Sequence, residues 1–368
     1  MLTITASLVM LGLMILIHEA GHYAAARSMG VGVEAFSIGF GPSILRVKTR
    51  SGTIFRVGII PFGGYVKLKG EDAKNTEKPE ISENESGISG IKEENQVKGK
   101  NFQSISYLGK LLIFFAGPAA NLILGYAFFF GMDLTGKERL LPVVGKVIQN
   151  SPAEGIFRKG DKIISINGEK IKYWDEISPL IQKYSGNNRE LLFKVKRNEK
   201  IISLRVKPEY NSEYRRYIVG ISPSGETVIV RVSLPEALKD AFNYLIKAIL
   251  LLFVATGLLV KGKVPASEVA GPVGTIYAMT RFSKTIRDFL MLSGLISANL
   301  AFVNLLPVPG LDGGQIILTT VDEIYKKIKG KEMSENLKSL INFVGIAFLI
   351  TLLILATAND ITRLIFKK

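Results

Sequence analysis

The chain holds two histidines, and they stand four residues apart in His18-Glu19-Ala20-Gly21-His22. On a helix, positions i and i+4 share a face, so both imidazoles can reach one metal ion. Glu19 then points toward a water activated by that metal and can take its proton. The chain has no cysteine, which rules out disulfides, thiolate-bound metal and cysteine nucleophiles. The motif continues an uncharged apolar run, LTITASLVMLGLMILI, at residues 2–17. An ionisable side chain in a membrane segment costs at least ~2.5 kcal/mol on insertion scales, so three titratable residues together there need a reason. The plainer alternative is a polar helix end at the membrane interface.

Zinc hydrolases use three protein ligands and keep a fourth position open for water. With no cysteine and no third histidine, the third ligand must be Asp or Glu. Asp312 is the best candidate, within the segment NLLPVPGLDGG at 304–314. Pro307 and Pro309 break the preceding helix, and Gly310, Gly313 and Gly314 allow close backbone approach. Irregular backbone at membrane depth is tolerated where it lines a buried or watery cavity. The alternative is a Pro/Gly turn that merely ends a span. Asn304, near Asp312, can donate its amide to a developing oxyanion. Asn121 closes a second segment, FAGPAAN at 115–121, inside another apolar run. The small residues of that segment suit close helix packing. A buried Asn there also needs a partner, either a substrate carbonyl or a ligand side chain, and the sequence leaves these readings open.

These residues need elements to carry them. The chain is 47% hydrophobic over 368 residues, which directs attention to membrane spans. The first apolar run enters the HEAGH motif and ends at Arg27. A signal peptide would need a basic start and a small-residue cleavage site, and neither is present. Further apolar runs lie at 108–132, 245–260, 289–306 and 340–358. A spanning helix needs about 20 residues and at least ~17, so 245–260 is marginal. Residues 36–69 alternate in short β-like runs punctuated by Gly and Pro: FSIGFG, SILRVKT, GTIFRVGII and GGYVKLKG. Residues 70–100 are polar, charged and poor in aromatics, and read as disordered. Residues 141–209 read as a compact polar domain of strands and short helices, with a hairpin turn at Asn167-Gly168. More β-prone sequence follows at 217–233.

HExxH in the first span, FAGPxxN in the second and NxxPxPxLDGG near the third, in this order, resemble the site-2 protease family of intramembrane metalloproteases. The regulator-of-sigma-E protease type of bacteria is the nearest form. The resemblance implies His18, His22 and Asp312 as zinc ligands and Glu19 as general base. It also implies a PDZ domain, and SPAEGIFRKGDKIISINGEKI is similar to the PDZ signature. Relatives of this type often carry two such domains, whereas this chain has one. Implied substrates are single-span membrane proteins, such as anti-sigma factors or signal-peptide remnants, usually after a first cut outside.

The expectation is a polytopic α-helical membrane protein of four spans, with a membrane-associated β-hairpin region and one PDZ-like α+β domain. Its segments are 1–28, 36–69, 70–100, 108–132, 141–209, 217–284 as a β-prone stretch with a membrane-surface or re-entrant helix, 288–318 with LDGG, and 339–358. The expected reaction is zinc-dependent peptide-bond hydrolysis, with Asn304 and Asn121 as substrate or oxyanion contacts. A strand edge within 36–69 can hold the substrate extended. The partners are the substrate and the lipid bilayer. Nucleic acid is not expected, because the net charge of +15 includes no basic stretch interleaved with aromatics. Residues 23–69 hold seven Lys or Arg against one acid, Glu34, so this loop is cytoplasmic by the positive-inside rule. The N-terminus and the PDZ-like domain then lie outside a bacterial inner membrane, with the active site toward the cytoplasm. For Asp312 to arrive beside the histidines, 245–260 must not cross. Two rivals remain: a non-enzymatic membrane PDZ scaffold, which leaves Glu19 and Asp312 unexplained, and a zinc transporter, for which no second site along a path is seen.

Overall fold

The computed structural model describes residues 2–71, 97–185, 189–265 and 271–366. Most of the polar stretch 70–100 and part of 217–284 therefore lie outside the described residues. In chain order the elements are α1 (Leu2–Ser28), β1 (Val33–Lys48), β2 (Ile54–Leu68) and α2 (Tyr107–Leu134). Then come β3 (Lys137–Leu140), β4 (Val144–Val147), β5 (Lys162–Ile166), β6 (Glu169–Lys170), α3 (Ile177–Tyr184), β7 (Leu191–Arg197) and β8 (Lys200–Val206). Next are β9 (Glu209–Asn211), β10 (Arg216–Ile218), β11 (Ile221–Pro223) and β12 (Thr227–Val230). The chain ends with α4 (Leu234–Val260), α5 (Pro272–Phe282), α6 (Ile286–Asn304), α7 (Asp312–Lys329) and α8 (Glu335–Phe366). These elements form two compact units: Asp133–Leu234, and the remainder of the chain.

In the helical unit, α1, α2 and α6 build the centre. Gly21 of α1 sits against Ala116 and Ala120 of α2, where a Cβ would collide with backbone. Farther along α2, Gly125 meets Gly294 of α6, Phe129 lies over Gly294, and the Met132 carbonyl accepts from Arg287. Small residues let these helices approach closely, which is how packing in an apolar solvent is won. The contacts show that α2 runs antiparallel to both neighbours, so α1 and α6 point the same way. Ala241, Leu245 and Ala248 of α4 pack with Phe129 and Ala298. The short α5 touches α1, α6 and α8, and its first turn donates Gly271 and Gly274 N–H to the buried Asp360 carboxylate of α8.

Among the described residues five helices, rather than the four expected spans, are long and apolar enough to cross a membrane. The difference lies in α4: it starts at Leu234 rather than near 245, giving 27 residues. Glu236, Lys239 and Asp240 interrupt its apolar pattern before residue 245, which hid the first turns. The expected element 288–318 is also divided. Helix α6 stops at Asn304, and Asp312 opens a new helix, α7. Pro307 and Pro309 supply no N–H to continue the first one. Gly313 and Gly314 face the carbonyls of Leu305, Leu306 and Val308, a fold-back that leaves no room for a side chain.

The β-like runs between the first two spans form one sheet on long bent strands. Val33–Ile38 lies between Gly64–Leu68 on one side and Ile54–Val57 on the other, while Ser43–Lys48 pairs with Ile54–Gly58. Tyr23 of α1 packs its ring against Phe36 and Phe55, at 5.7 Å each, fixing the sheet to the helix. The chain just before α2 joins this sheet region, with Gly32 N donating to the Lys100 carbonyl and Phe102 N to that of Lys69.

The unit Asp133–Leu234 is an α+β domain. A four-stranded sheet in the order β6-β5-β7-β8 buries Ile163, Ile166, Leu191, Phe193 and Val195 against Ile177 and Ile181 of α3. The β5–β6 hairpin turns at Asn167 and Gly168, both with positive φ, as a tight Asn-Gly turn requires. The unit extends past the expected 141–209, because β3 pairs with β12 and β4 with β11.

Candidate active site

The site forms at the last third of α1, where α2 and the α6–α7 turn meet it. His18, Glu19 and His22 are all buried. The structure brings Asp312 beside the two histidines: its Oδ2 is 3.1 Å from His18 Nε2 and its Oδ1 is 3.3 Å from His22 Nε2. The two Nε2 atoms are 3.2 Å apart. His22 Nδ1 donates to the Ile113 carbonyl at 2.8 Å, so in the neutral ring Nε2 is a bare lone pair. That lone pair faces the other imidazole nitrogen and a carboxylate, and Asp312 Oδ2 has no hydrogen-bond donor. Converging acceptors of this kind are the donor set of a cation. A tetrahedral ion with ligand bonds of about 2.0–2.1 Å separates its ligand atoms by about 3.3 Å; the Nε2 pair and each Nε2 with its nearer Asp312 oxygen are close to that, and one ligand atom from each residue lies within 4.8 Å of the others. The residues present therefore fit zinc. Among the described residues this is the one cluster of three such side chains.

The supports are as specific as the ligands. Gly117 of α2 faces the His22 imidazole so closely that a Cβ there would overlap ring atoms. The Ile113 carbonyl lies one turn before Gly117 on the same helix, so one short segment of α2 both accepts from the His22 ring and leaves space for it. Glu19 lies against the sheet: a Cβ on Gly64 would fall 2.9 Å from Glu19 Cγ and 2.7 Å from the Ser37 carbonyl oxygen. Both asparagines reach His18. The Asn121 amide nitrogen is 3.4 Å from its Nδ1, and that of Asn304 is 3.4 Å from Nδ1 and 3.2 Å from Nε2. Ser297 of α6 donates its hydroxyl to the Asn121 backbone carbonyl at 2.7 Å. Sequence reasoning did not single out Ile113, Gly117, Ser297 or Gly64.

Residues 6–352 match the profile of Peptidase family M50. A Helicobacter pylori (strain J99) protein bearing a zinc metalloprotease name is 32% identical over 98% of this chain and 99% of its own length. The protease eep of Enterococcus faecalis is 28% identical over the full length of both chains. The zinc metalloprotease RasP of Shouchella clausii is 27% identical over 98% of this chain and 99% of its own. Among solved structures, the PDZ domain of an SdrC-like protein from Listeria innocua covers 23% of this chain and 96% of that domain, at 23% identity and a TM-score of 0.22. The scaffold and transporter alternatives fall away, and the protein is a multi-pass membrane enzyme with a zinc cofactor. Its sequence from end to end thus belongs to peptidase family M50, the site-2 protease family of zinc metalloproteases.

Proposed function

We propose that this protein hydrolyses peptide bonds of single-span membrane proteins, anti-sigma-factor-like proteins or signal-peptide remnants, in regulated proteolysis at a bacterial inner membrane. His18, His22 and Asp312 hold zinc, which when bound polarises the scissile carbonyl and makes water nucleophilic near neutral pH. Glu19 takes the proton of the attacking water and returns it to the leaving amine. Asn304 is aimed at the same face as the ligands, and its amide donates to the oxygen that gains charge. A helical substrate hides its amides in its own hydrogen bonds, so it must be unwound before attack. The sheet offers a means: among the described residues no strand pairs with the second edge of Gly64–Leu68, and Gly64 lies against Glu19. A substrate strand added along that edge passes the general base.

The observation that carries this reading is the convergence of His18 and His22 of α1 and Asp312 of α7 onto positions suited to one ion. Metal analysis of the purified protein tests it. One zinc per chain is expected, with most of it lost in His22→Ala and in Asp312→Ala. Full retention in Asp312→Ala would remove that residue from the ligand set.

The helix directions support four crossings, with α4 associated with the membrane without crossing it. Because α1 and α6 point the same way, α6 starts on the side where α2 ends. A crossing by α4 would have to be reversed before Ile286. The helix described in that interval, α5, has 11 residues and spans about 16 Å, half of a ~30 Å hydrocarbon core.

A further inference from the structure

Asn121 is almost fully buried, at 1% exposure, and its Oδ1 has no hydrogen-bond partner while its Nδ2 faces His18 Nδ1. A buried amide oxygen without a donor costs about 1–3 kcal/mol, so its isolation needs a cause. The nitrogen and oxygen of a side-chain amide exchange places by a half-turn that moves no other heavy atom. Which of them should face His18 depends on which ring nitrogen carries the hydrogen. With Nε2 given to a metal ion, the hydrogen must sit on Nδ1, and Nδ1 then needs an acceptor. We propose that Asn121 is a positioning residue: its Oδ1 accepts from His18 Nδ1–H and holds that ring in the form that binds zinc.

Three observations carry this. First, the half-turn satisfies both orphaned groups at once, the Asn121 oxygen and the His18 Nδ1–H. Second, it makes the two ligand rings alike, since His22 Nδ1 already donates to the Ile113 carbonyl on the same helix, α2. Third, the asparagine backbone is itself fixed, through the Ser297 hydroxyl on its carbonyl. Asn304 is less suited to this task. Its amide also lies 3.2 Å from His18 Nε2, toward the ligand atoms, which suits a group facing substrate. The two asparagines thus divide the work, Asn121 behind the ring and Asn304 in front.

This inference rests on the zinc reading above, and the test separates the two. Full-length protein in detergent is titrated with zinc against a chromophoric chelator, and visible spectra are taken of its Co²⁺-loaded form. Asn121→Ala should weaken zinc binding by about 10–100-fold, the usual effect of removing a ligand's orienting partner. It should also change the cobalt spectrum and leave KM near that of the parent at saturating zinc. Asn121→Asp, which keeps the acceptor, should restore affinity to within a few-fold of the parent. A residue that only packs would give no such rescue, because a carboxylate is no better filler than a methyl group. Parent-like zinc affinity in Asn121→Ala, or Asp binding as weakly as Ala, overturns the proposal. His22→Ala is the control: if it keeps its zinc, the ligand assignment itself has failed, whereas if it alone loses zinc, only the role of Asn121 has.

Discussion

At the scale of single residues, the proposed roles separate holding a metal from moving a proton. Glu19→Gln keeps the shape and burial of the side chain and offers no carboxylate to accept a proton. Zinc content should stay near one per chain while the proteolytic rate falls by about 10²–10⁴-fold, the range over which general-base groups act. Substantial turnover by the purified variant would take the base role from Glu19. Gly117→Ala probes the opposite function. Its methyl group must enter space held by the His22 ring, an overpacking that costs about 1–3 kcal/mol. Zinc affinity should drop by about tenfold, with helix content by circular dichroism unchanged. Unaltered affinity would show that α2 shifts to accommodate the methyl. The histidine pair and Glu19 are legible in sequence because the three side chains share one helix, where spacing alone reports geometry. The supports are not legible in that way. Ile113 acts through its carbonyl, and Gly117 and Gly64 act by having no side chain, so none of them differs in type from an ordinary packing residue.

At the scale of elements, the unit Asp133–Leu234 is fastened by one buried ion pair. The Asp161 carboxylate is 1% exposed and accepts from Arg197 Nε and Nη2, both at 2.7 Å, and from Arg158 N at 2.8 Å. Arg197 also reaches the Ile156 carbonyl, tying the 151–157 turn to β7. Removing one partner of such a pair leaves a buried charge, at a cost of about 3–5 kcal/mol. Arg197→Ala should therefore lower the denaturant midpoint of this unit sharply. Trp174, the single tryptophan of the chain, lies within the unit and gives the fluorescence signal. A midpoint equal to the parent's would mean that water reaches Asp161 and the pair contributes little. The sequence revealed this domain where signals are local: the Asn-Gly turn, the amphipathic α3 and the alternation of β7. Its outer limits escaped because β3 and β12 pair across nearly 90 residues, and a strand edge does not encode its partner. The four short runs of 36–69 were visible as strands for the same local reason, while their order in the sheet was not.

At the scale of the whole molecule, the question is how many times the chain crosses the bilayer. Two independent lines meet on it. Charge puts 23–69, with seven basic residues and one acid, in the cytoplasm. Contacts make α2 antiparallel to α1 and to α6, through Asn121 with His18 and Ser297, and Arg287 with Met132. On the proposed topology, α1 runs inward, α2 outward and α6 inward, and His18, His22 and Asp312 are expected toward the cytoplasmic side. The segment 326–338 around the α7–α8 turn, with Lys326, Lys327, Lys329, Lys331 and Lys338, is then expected inside, as the charge rule prefers. If α4 makes no net crossing, position 264 just after it is expected outside. On the same topology Arg363 is expected outside, against the rule. The chain has no cysteine, so single cysteines introduced at 264 and 330 can be read without background. In intact cells or right-side-out vesicles, a membrane-impermeant maleimide should label position 264 and leave 330 untouched until the membrane is opened. Labelling of 264 from the cytoplasmic side would mean that α4 crosses. Helix α6 would then have to run outward and Asp312 would end most of ~30 Å away from the histidines, a gap that no shared zinc ion spans.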